Sequence, residues 1–437
     1  MAITRRQFVT RLGALAAAAG FSQADVARIA EAFAYGNPGL GGTFGKPRVV
    51  WIHGAECTGC STSLLGLFEN KNGLAVDTSL GGPIDGVTTA AGLGLAGVFP
   101  TAPLGVNDFT LHAAGYNVEG YADAVNIADV VVDVIDLLYH ETVMGMGGDL
   151  GYQWLADFMA TNNKPFVLVV EGALQDKLGG GAWNDVSDTD VPWCSIGMSD
   201  DTLHEHDMPH VVQELAEQAD CLAVVAIGQC ATFGGYPGCK PPITAEQAGG
   251  FDPNQSQTGA MGTYDYLVAK GSGAAAKVVN CPGCPTNPWW FVLTVVCFLV
   301  DYVNGPAAAA DGPLGILDST GAIVGGVDST RRLNAVYSVP IHNANCPRYI
   351  HYRNNNFAAK PGDPGCLQKI GCKGMATNSL CGAHGWNNQQ PENPDAWNHG
   401  VPGLDSKGGH CTRAGHPCMA CTEAGYPDAY VPFIKRS

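Results

Sequence analysis

Residues 48–60 read Arg-Val-Val-Trp-Ile-His-Gly-Ala-Glu-Cys-Thr-Gly-Cys. The first six form an apolar, β-branched run that is typical of a buried strand, and Gly54 ends it. Cys57 and Cys60 follow directly, two residues apart. On its own, such a pair is typical of a redox dithiol, half of a zinc site or part of an iron–sulfur site. The stretch therefore predicts a strand with soft metal ligands or a dithiol at its carboxyl end.

Four further runs of the same kind follow along the chain. They are Val130–Leu137, Phe166–Val170, Leu222–Ile227 and Lys277–Asn280. Long helix-capable stretches separate them, and this alternation predicts a parallel sheet with helices on both faces. The apolar stretch Trp289–Val300 is too short to cross a bilayer, so it predicts a buried helix instead.

Reactive side chains follow several of these runs. Glu171 ends the third run, Cys230 comes after the fourth and Cys284 after the fifth. In an open α/β sheet the ligand site lies outside the carboxyl ends of the strands. We therefore expect Cys230 and Cys284 to meet Cys57 and Cys60 at one edge of the sheet.

After about residue 306 the strand pattern fades, and glycine, proline, asparagine and cysteine dominate. Seven cysteines lie in this half: Cys346, Cys366, Cys372, Cys381, Cys411, Cys418 and Cys421. A segment with so few apolar residues needs covalent or metal staples to fold. Metal clusters and a disulfide framework both satisfy that need. A chain of 437 residues can build a real core, which weakens the disulfide alternative.

The net charge of −17 comes from 40 acidic and 23 basic residues. Because there is no basic stripe, the charge pattern argues against nucleic-acid binding. An acidic surface suits a positively charged protein partner, and it also serves solubility alone.

The N-terminus reads Thr4-Arg5-Arg6-Gln7-Phe8, followed by a mildly apolar stretch from Leu12 to Phe21. Paired arginines before such a stretch predict a twin-arginine export signal over 1–34. Ala32-Phe33-Ala34 has the small-x-small pattern of a cleavage site. We therefore expect the protein in the periplasm or on the outer face of the cytoplasmic membrane, exported after folding.

Five motifs, in this order, resemble those of the small subunit of nickel–iron hydrogenases. They are Glu56-Cys-Thr-Gly-Cys60-Ser, Gly228-Gln-Cys230-Ala-Thr-Phe-Gly-Gly235, Gly283-Cys284-Pro-Thr-Asn-Pro288, Gly371-Cys372-Lys-Gly374 and His416-Pro-Cys418-Met-Ala-Cys421. The resemblance runs from about residue 49 to 433, outside a Gly- and Ala-rich insertion over 71–125. It implies a flavodoxin-like, doubly wound α/β domain over 46–305. A loop-rich iron–sulfur cluster-binding domain over 306–437 would follow, and neither would contain a transmembrane helix.

The resemblance also implies a function. In this family the small subunit holds three iron–sulfur clusters in a line from a nickel–iron site in a separate large subunit. The reaction is H₂ ⇌ 2H⁺ + 2e⁻, and no catalytic residue lies in this chain. We expect the electrons to reach a cytochrome or a membrane electron acceptor.

The ligands of two clusters are carried over residue by residue. The proximal [4Fe–4S] cluster would take Cys57, Cys60, Cys230 and Cys284, and the distal [4Fe–4S] cluster would take His342, Cys346, Cys366 and Cys372. His342 and Cys346 are four residues apart, which is one more than the usual spacing in the family. His351 is an alternative to His342.

The medial cluster is usually [3Fe–4S], and its three cysteines correspond to Cys381, Cys418 and Cys421. Most members have a proline where this chain has Cys411. A fourth thiolate at the open corner would hold a fourth iron. We therefore predict a medial [4Fe–4S] cluster, as in the nickel–iron–selenium branch, with [3Fe–4S] as the alternative if Cys411 is not a ligand.

Glu56 and Glu171 are the candidate polar residues beside the proximal site. Each can relay protons or hydrogen-bond to the large subunit, or can be a buried carboxylate satisfied by backbone amides. Two other functions stay open at this point. One is the iron–sulfur subunit of a quinone-reducing respiratory complex, which lacks the cysteines of the second half. The other is a disulfide-stapled secreted binding protein.

Overall fold

The computed structural model describes residues 47–65, 68–69, 125–126, 135–176, 178–179, 191–198, 205–240, 256, 258–304, 316–317, 322–381, 386–387 and 410–435. The predicted export signal over 1–34 lies outside the described residues. So do the predicted domain boundary at 305–306 and all but the last residue of the predicted insertion over 71–125.

The strands and helices alternate along the first part of the chain. The strands are β1 Arg48–His53, β2 Phe68–Glu69, β3 Val125–Asn126, β4 Asp136–His140, β5 Phe166–Glu171, β6 Leu174–Gln175, β7 Leu178–Gly179, β8 Val191–Pro192, β9 Ser195–Met198, β10 Glu205–Asp207, β11 Cys221–Ile227, β12 Ala260–Met261 and β13 Val278–Cys281. The α-helices are α1 Gly59–Leu65, α2 Gly148–Thr161, α3 Met208–Glu217, α4 Gly228–Phe233, α5 Thr263–Ala269, α6 Pro288–Asn304, α7 Asn334–Tyr337 and α8 Tyr349–Arg353.

Five strands form one parallel sheet in the order β13-β11-β5-β1-β4. Numbered only among themselves, these strands have the order 2-1-3-4-5, which is that of the flavodoxin-like fold. The register aligns the carboxyl ends of neighbouring strands. His53 pairs with Glu171, and Ile227 pairs with both Glu171 and Cys281. The predicted α/β fold is confirmed.

The predicted strand bounds hold within about one residue for four of the five strands. The second predicted run, Val130–Leu137, is described only from residue 135, and the strand found there, Asp136–His140, extends three residues past the predicted end. It is an edge strand that pairs with β1 alone, and its first three residues are only half-buried. Continuous apolarity marks strands that are buried on both faces, so it did not include the polar His140 at the end of this edge strand.

The sheet residues alternate between two apolar cores. Val49, Trp51 and Val225 pack on one face with α1 and α6. Val50 and Ile52 point to the opposite face and pack against α2, α3 and α5. Cysteines of the second half of the chain belong to the α6 core, which places that half on one face of the sheet.

The predicted buried helix corresponds to α6, where Trp290, Leu293 and Phe298 are almost fully enclosed. Asp301 near its end accepts the backbone N–H groups of Ile316 and Leu317 at 2.6 and 3.1 Å. Within the described ranges no helix is both long and apolar enough to cross a membrane.

The second half is loop-rich, as predicted. It contains a π-helical turn at Ile341–Asn345 and 3-10 turns at Leu367–Ile370, Gly374–Ala376 and Asp428–Tyr430. Buried Arg332 links two distant segments of this half. Its guanidinium donates to Asp328 at 2.8 Å and to Glu423 at 3.0 Å. Glu423 in turn accepts the backbone N–H of Asn378 at 2.6 Å.

Candidate iron–sulfur sites

The four predicted proximal cysteines come together at the carboxyl edge of the sheet. Burial raises the pKa of the Cys230 thiol to about 12, and the nearby thiols of Cys284 and Cys57 contribute. Burial also raises the pKa of Cys60, together with Glu171 and then Cys284. These thiols therefore act on one another directly.

At two positions beside the proximal cysteines, only glycine leaves room for the thiols. Gly228 has φ +84°, and a Cβ atom there would overlap Sγ of Cys60. Gly235 has φ +53°, and its Cβ would lie 2.9 Å from Sγ of Cys230. A side chain at either position would displace a thiol, in addition to straining the backbone.

Glu171 fastens the start of α1, which carries Cys60. This carboxylate is 2% exposed and accepts the backbone N–H of Cys60 at 2.9 Å and that of Ser61 at 3.1 Å. It also accepts the hydroxyl of Ser61 at 2.5 Å and the indole N–H of Trp51 at 3.2 Å. Of the alternatives for Glu171, the geometry matches the buried carboxylate satisfied by amides.

Glu56 belongs to a second polar group beside the same edge. Its Oε1 hydrogen-bonds His53 at 3.0 Å and accepts from Thr58 at 3.2 Å, whereas its Oε2 is buried without a hydrogen-bond partner. Burial opposes protonation of His53, but Glu56, Glu171 and Glu141 outweigh it and raise the histidine pKa. One atom each of His53, Glu56 and Glu171 lie within 4.8 Å of one another.

His140 is a further polar residue at this edge of the sheet, beside Ser61, and it was not among the predicted site residues. Its Nε2 lies 3.2 Å from Oγ of Ser61, and its ring centroid lies 4.8 Å from that of Trp51. Burial, followed by repulsion from His53, lowers its pKa to about 4. The adjacent sequence His140-Glu141 at a strand end was the available signal.

The predicted medial cysteines form a second group that includes Cys411. Burial raises the pKa of Cys381, with Cys421, Cys411 and Cys418 contributing. The pKa of Cys411 rises to about 12 through burial and then Cys418. The side chain of Ser379 donates to Cys381 at 3.1 Å.

The predicted distal cysteines form a third group. Burial raises the pKa of Cys372, and Cys346 and Cys366 contribute. The π-helical turn Ile341–Asn345 accommodates the extra residue between His342 and Cys346, because a π turn closes around five residues rather than four. His342 Nε2 is buried and has no hydrogen-bond partner, which is the condition expected of a nitrogen that binds metal. His351, by contrast, is hydrogen-bonded to Asn356 at 3.1 Å.

Arg348 lies against the distal thiols and was also missed. Its side chain is fully buried, and it donates to the carbonyl oxygens of Thr412, Asp363 and Gly365 at 2.5–2.7 Å. Its Nη2 is buried without a partner, and the distal thiols act on its charge. The signal was Cys346-Pro-Arg348, a charged residue two positions after a predicted ligand.

The remaining cysteines lie outside the three groups. Cys221 and Cys297 are buried in the apolar cores, and Cys281 contacts the hydroxyl of Tyr337 at 3.4 Å. None of the described cysteines forms a disulfide. The disulfide-stapled alternative therefore has no support in the structure.

Comparison with family models gives one match for each half of the chain. Residues 115–298 match the family described as NADH ubiquinone oxidoreductase, 20 Kd subunit. Residues 337–404 match the family that describes the C-terminal part of the NiFe/NiFeSe hydrogenase small subunit.

Curated relatives match over nearly the full chain. The periplasmic [NiFeSe] hydrogenase small subunit of Desulfomicrobium baculatum is 26% identical, and the match covers 99% of each chain. The periplasmic [NiFe] hydrogenase small subunit 1 of Nitratidesulfovibrio vulgaris is 26% identical over 99% of this chain and 93% of that protein.

Solved structures give the same result. The [NiFeSe] hydrogenase of Desulfovibrio vulgaris Hildenborough superposes with a TM-score of 0.58 at 25% identity, covering 91% of this chain and 99% of that chain. The enzyme of Desulfomicrobium baculatum gives a TM-score of 0.56 at 25% identity, covering 89% and 98%. Fold, cysteine motifs and relatives agree: over nearly its whole length the chain is similar to the small subunits of NiFe and NiFeSe hydrogenases.

Proposed function

We propose that this chain is the electron-transfer subunit of an uptake-type hydrogenase and relays electrons through three iron–sulfur clusters. The observation that carries the proposal is the grouping of eleven cysteines into two sets of four and one set of three, with His342 four residues before a member of the third set. Four donors of this kind per site are the usual complement of a [4Fe–4S] cluster.

The residues fit such clusters. Cys57, Cys60, Cys230 and Cys284 would hold the proximal cluster, Cys381, Cys411, Cys418 and Cys421 the medial one, and His342, Cys346, Cys366 and Cys372 the distal one. The buried, unpartnered Nε2 of His342 supports its role as a ligand. When bound, the clusters supply one-electron redox chemistry, and the chain supplies burial, hydrogen bonds and charge around them.

The medial site is proposed to hold [4Fe–4S] rather than [3Fe–4S]. Its support is the electrostatic contact of Cys411 with Cys381, Cys418 and Cys421. The pKa of Cys421 is likewise raised by burial first and by Cys411 second.

Partner and location are proposed from relatives and sequence. The NiFe site would lie in a separate large subunit bound near the proximal end. There Glu56, with its unpartnered buried Oε2, would accept a hydrogen bond across the interface or pass a proton. Two relatives are named periplasmic, and with the paired arginines this supports export by the twin-arginine pathway. An external electron carrier would accept the electrons.

The iron–sulfur subunit of a quinone-reducing respiratory complex is the second candidate, because residues 115–298 match the NADH ubiquinone oxidoreductase 20 Kd family. The C-terminal match over 337–404 favours the hydrogenase. The chain is proposed to divide into domains over 46–305 and 306–437, with the medial and distal clusters in the second.

Purification of the native complex from its source tests the proposal. We expect a co-purifying large subunit with nickel, about twelve iron atoms per copy of this chain, and reduction of a viologen dye under H₂. A complex that holds about four irons per chain and reduces a quinone with NADH would instead support the respiratory subunit. Matched samples under argon serve as the control for H₂-dependent dye reduction.

A further inference from the structure

The segment over 341–381, which folds around the distal thiols, has a charge opposite to that of the whole chain. It contains five basic residues, Arg348, Arg353, Lys360, Lys369 and Lys373, and one acidic residue, Asp363, in a chain of net charge −17. Lys435 joins this surface, because its backbone N–H donates to the carbonyl of Ile370 at 2.9 Å. We call the exposed residues of 341–381 together with Lys435 the distal face.

The charges of the distal face are available to a partner. Arg353, Lys360 and Lys369 are exposed, and none of them forms a salt bridge with another described residue. Lys373 donates to the carbonyl of Pro432 at 3.2 Å, which leaves its charge uncompensated. Asp363 accepts the backbone N–H of Lys360 at 3.2 Å, so the one acidic side chain of the segment is partly occupied locally.

The elements of the distal face are contiguous. The π turn Ile341–Asn345 packs against both α8 and the 3-10 turn Gly374–Ala376. The Lys369 ammonium lies 4.4 Å from the ring centroid of Phe357, and that ring meets Tyr352 of α8 edge-on. Apolar side chains are exposed on the two elements that flank the π turn: Ile350 is 56% exposed and Met375 53%.

We infer that the distal face docks a small acidic electron-carrier protein. The inference rests on the proposed function, because it takes the distal site as the exit for electrons. A few exposed apolar residues surrounded by one sign of charge suit a small, transient interface, which is the size common among redox partners. Opposite charges steer the encounter and raise its rate.

The charge of the rest of the chain helps to restrict an acidic carrier to the distal face. That remainder carries more acidic than basic residues, so its net charge disfavours an acidic carrier and favours the distal face as the place of attraction. A basic carrier would be attracted by the net charge but repelled at the exit. Binding to anionic lipid is less well matched, because α8 has only five residues and offers no extended amphipathic face.

The electron balance needs no further reactant. Cleavage of one H₂ in the proposed large subunit releases two protons and two electrons. Two oxidised carriers then leave the distal face with one electron each.

Stopped-flow mixing of the H₂-reduced complex with an acidic [2Fe–2S] ferredoxin tests the inference. The second-order rate constant should fall at least about tenfold between 20 mM and 500 mM NaCl, because salt screens the attraction. A basic c-type cytochrome should react more slowly at low salt and speed up as salt is added. The opposite order for the two proteins would overturn the inference, and so would flotation of the complex with phosphatidylglycerol vesicles while the ferredoxin rate is independent of salt.

Charge reversal locates the surface. The double variant Arg353→Glu/Lys360→Glu should slow ferredoxin reduction roughly tenfold or more at low salt. Lys164→Glu, a reversal at an exposed lysine between α2 and β5, is the matched control and should not change the rate. Equal rates in the two variants, at equal iron content, would refute the assignment. H₂-dependent viologen reduction by the wild-type complex reports separately on the proposed function, since a small dye does not need the docking surface.

Discussion

The backbone N–H of Cys418 donates a 3.3 Å hydrogen bond to Sγ of Cys372, which joins the medial group to the distal group. A similar contact joins the other pair of groups, because the backbone amide of Cys284 hydrogen-bonds Cys421. In both contacts, the backbone N–H of a proposed ligand in one group donates to the sulfur of a proposed ligand in the neighbouring group. Hydrogen bonds to sulfur and burial are among the factors that set the potential of an iron–sulfur cluster.

Replacing Cys411 with alanine should convert the proposed medial [4Fe–4S] cluster into a [3Fe–4S] cluster. The variant would lose about one iron atom per chain and gain an EPR signal of the oxidised three-iron form, because only three thiolates remain. Iron analysis and EPR of the air-oxidised protein measure both effects. Cys194→Ala removes a thiol outside the three groups and should change neither. A [3Fe–4S] signal of one spin per protein in the wild type would show that Cys411 is not a ligand.

Replacing Glu171 with glutamine should loosen the start of α1. An amide cannot accept from all four donors that the carboxylate satisfies, so buried N–H groups of Cys60 and Ser61 lose a partner. The expected cost is about 1–3 kcal/mol. Thermal unfolding followed by absorbance of the clusters should show a lower midpoint, whereas Glu217→Gln, at an exposed glutamate of α3, should behave as wild type. An unchanged midpoint for Glu171→Gln would mean that the carboxylate does not hold the helix.

Replacing Gly228 with alanine should damage the proximal site selectively. The new Cβ would overlap Sγ of Cys60, and φ +84° is unfavourable for alanine. We expect the loss of up to about four irons per chain, with medial and distal EPR signals retained. Gly273→Ala is a suitable comparison, because a Cβ there meets no atom within 4 Å. Full iron content in Gly228→Ala would contradict the crowding argument.

Replacing Arg348 with leucine should lower the reduction potential of the proposed distal cluster. The buried guanidinium interacts electrostatically with all three distal thiols, and removing its positive charge favours the oxidised, less negative form of the cluster. A fall on the order of 60 mV corresponds to a tenfold change in the one-electron equilibrium. EPR-monitored redox titration measures it. Arg348→Lys keeps the charge and should recover most of the potential; if both variants titrate like wild type, the charge has no influence.

The stability of the protein should rise between pH 4 and 6.5, in part through His140. Its pKa is lowered to about 4 in the folded chain, so the unfolded chain binds more protons across this interval. The contribution is fully present above pH 6.5 and is lost as the pH falls towards 4. Thermal midpoints at a fixed scan rate should therefore depend less on pH in His140→Gln than in wild type. Parallel curves for the two proteins would exclude His140 as a cause.

Local sequence located most of the sheet correctly. Runs such as Phe166–Val170 are buried on both faces, and continuous apolarity reports that directly. The edge strand continues past the predicted end at Leu137 to His140, a polar residue that an apolar run does not include. The ligand sets stay predictions, although the structure groups their residues as the motifs suggested.

The sequence by itself determined the parallel character of the sheet, the loop-rich second half and the residues that are candidates for the three clusters. Apolar periodicity and cysteine spacing are local, so they can be read along the chain. The tertiary structure alone decided what surrounds those cysteines. Glu171 reaches Cys60 across 111 positions, Arg348 reaches Thr412 across 64, and Cys418 reaches Cys372 across 46. Such contacts arise from packing between distant segments. The basic charge of 341–381 can be counted along the sequence, but only the fold shows that Lys435 joins it and which of its residues are exposed.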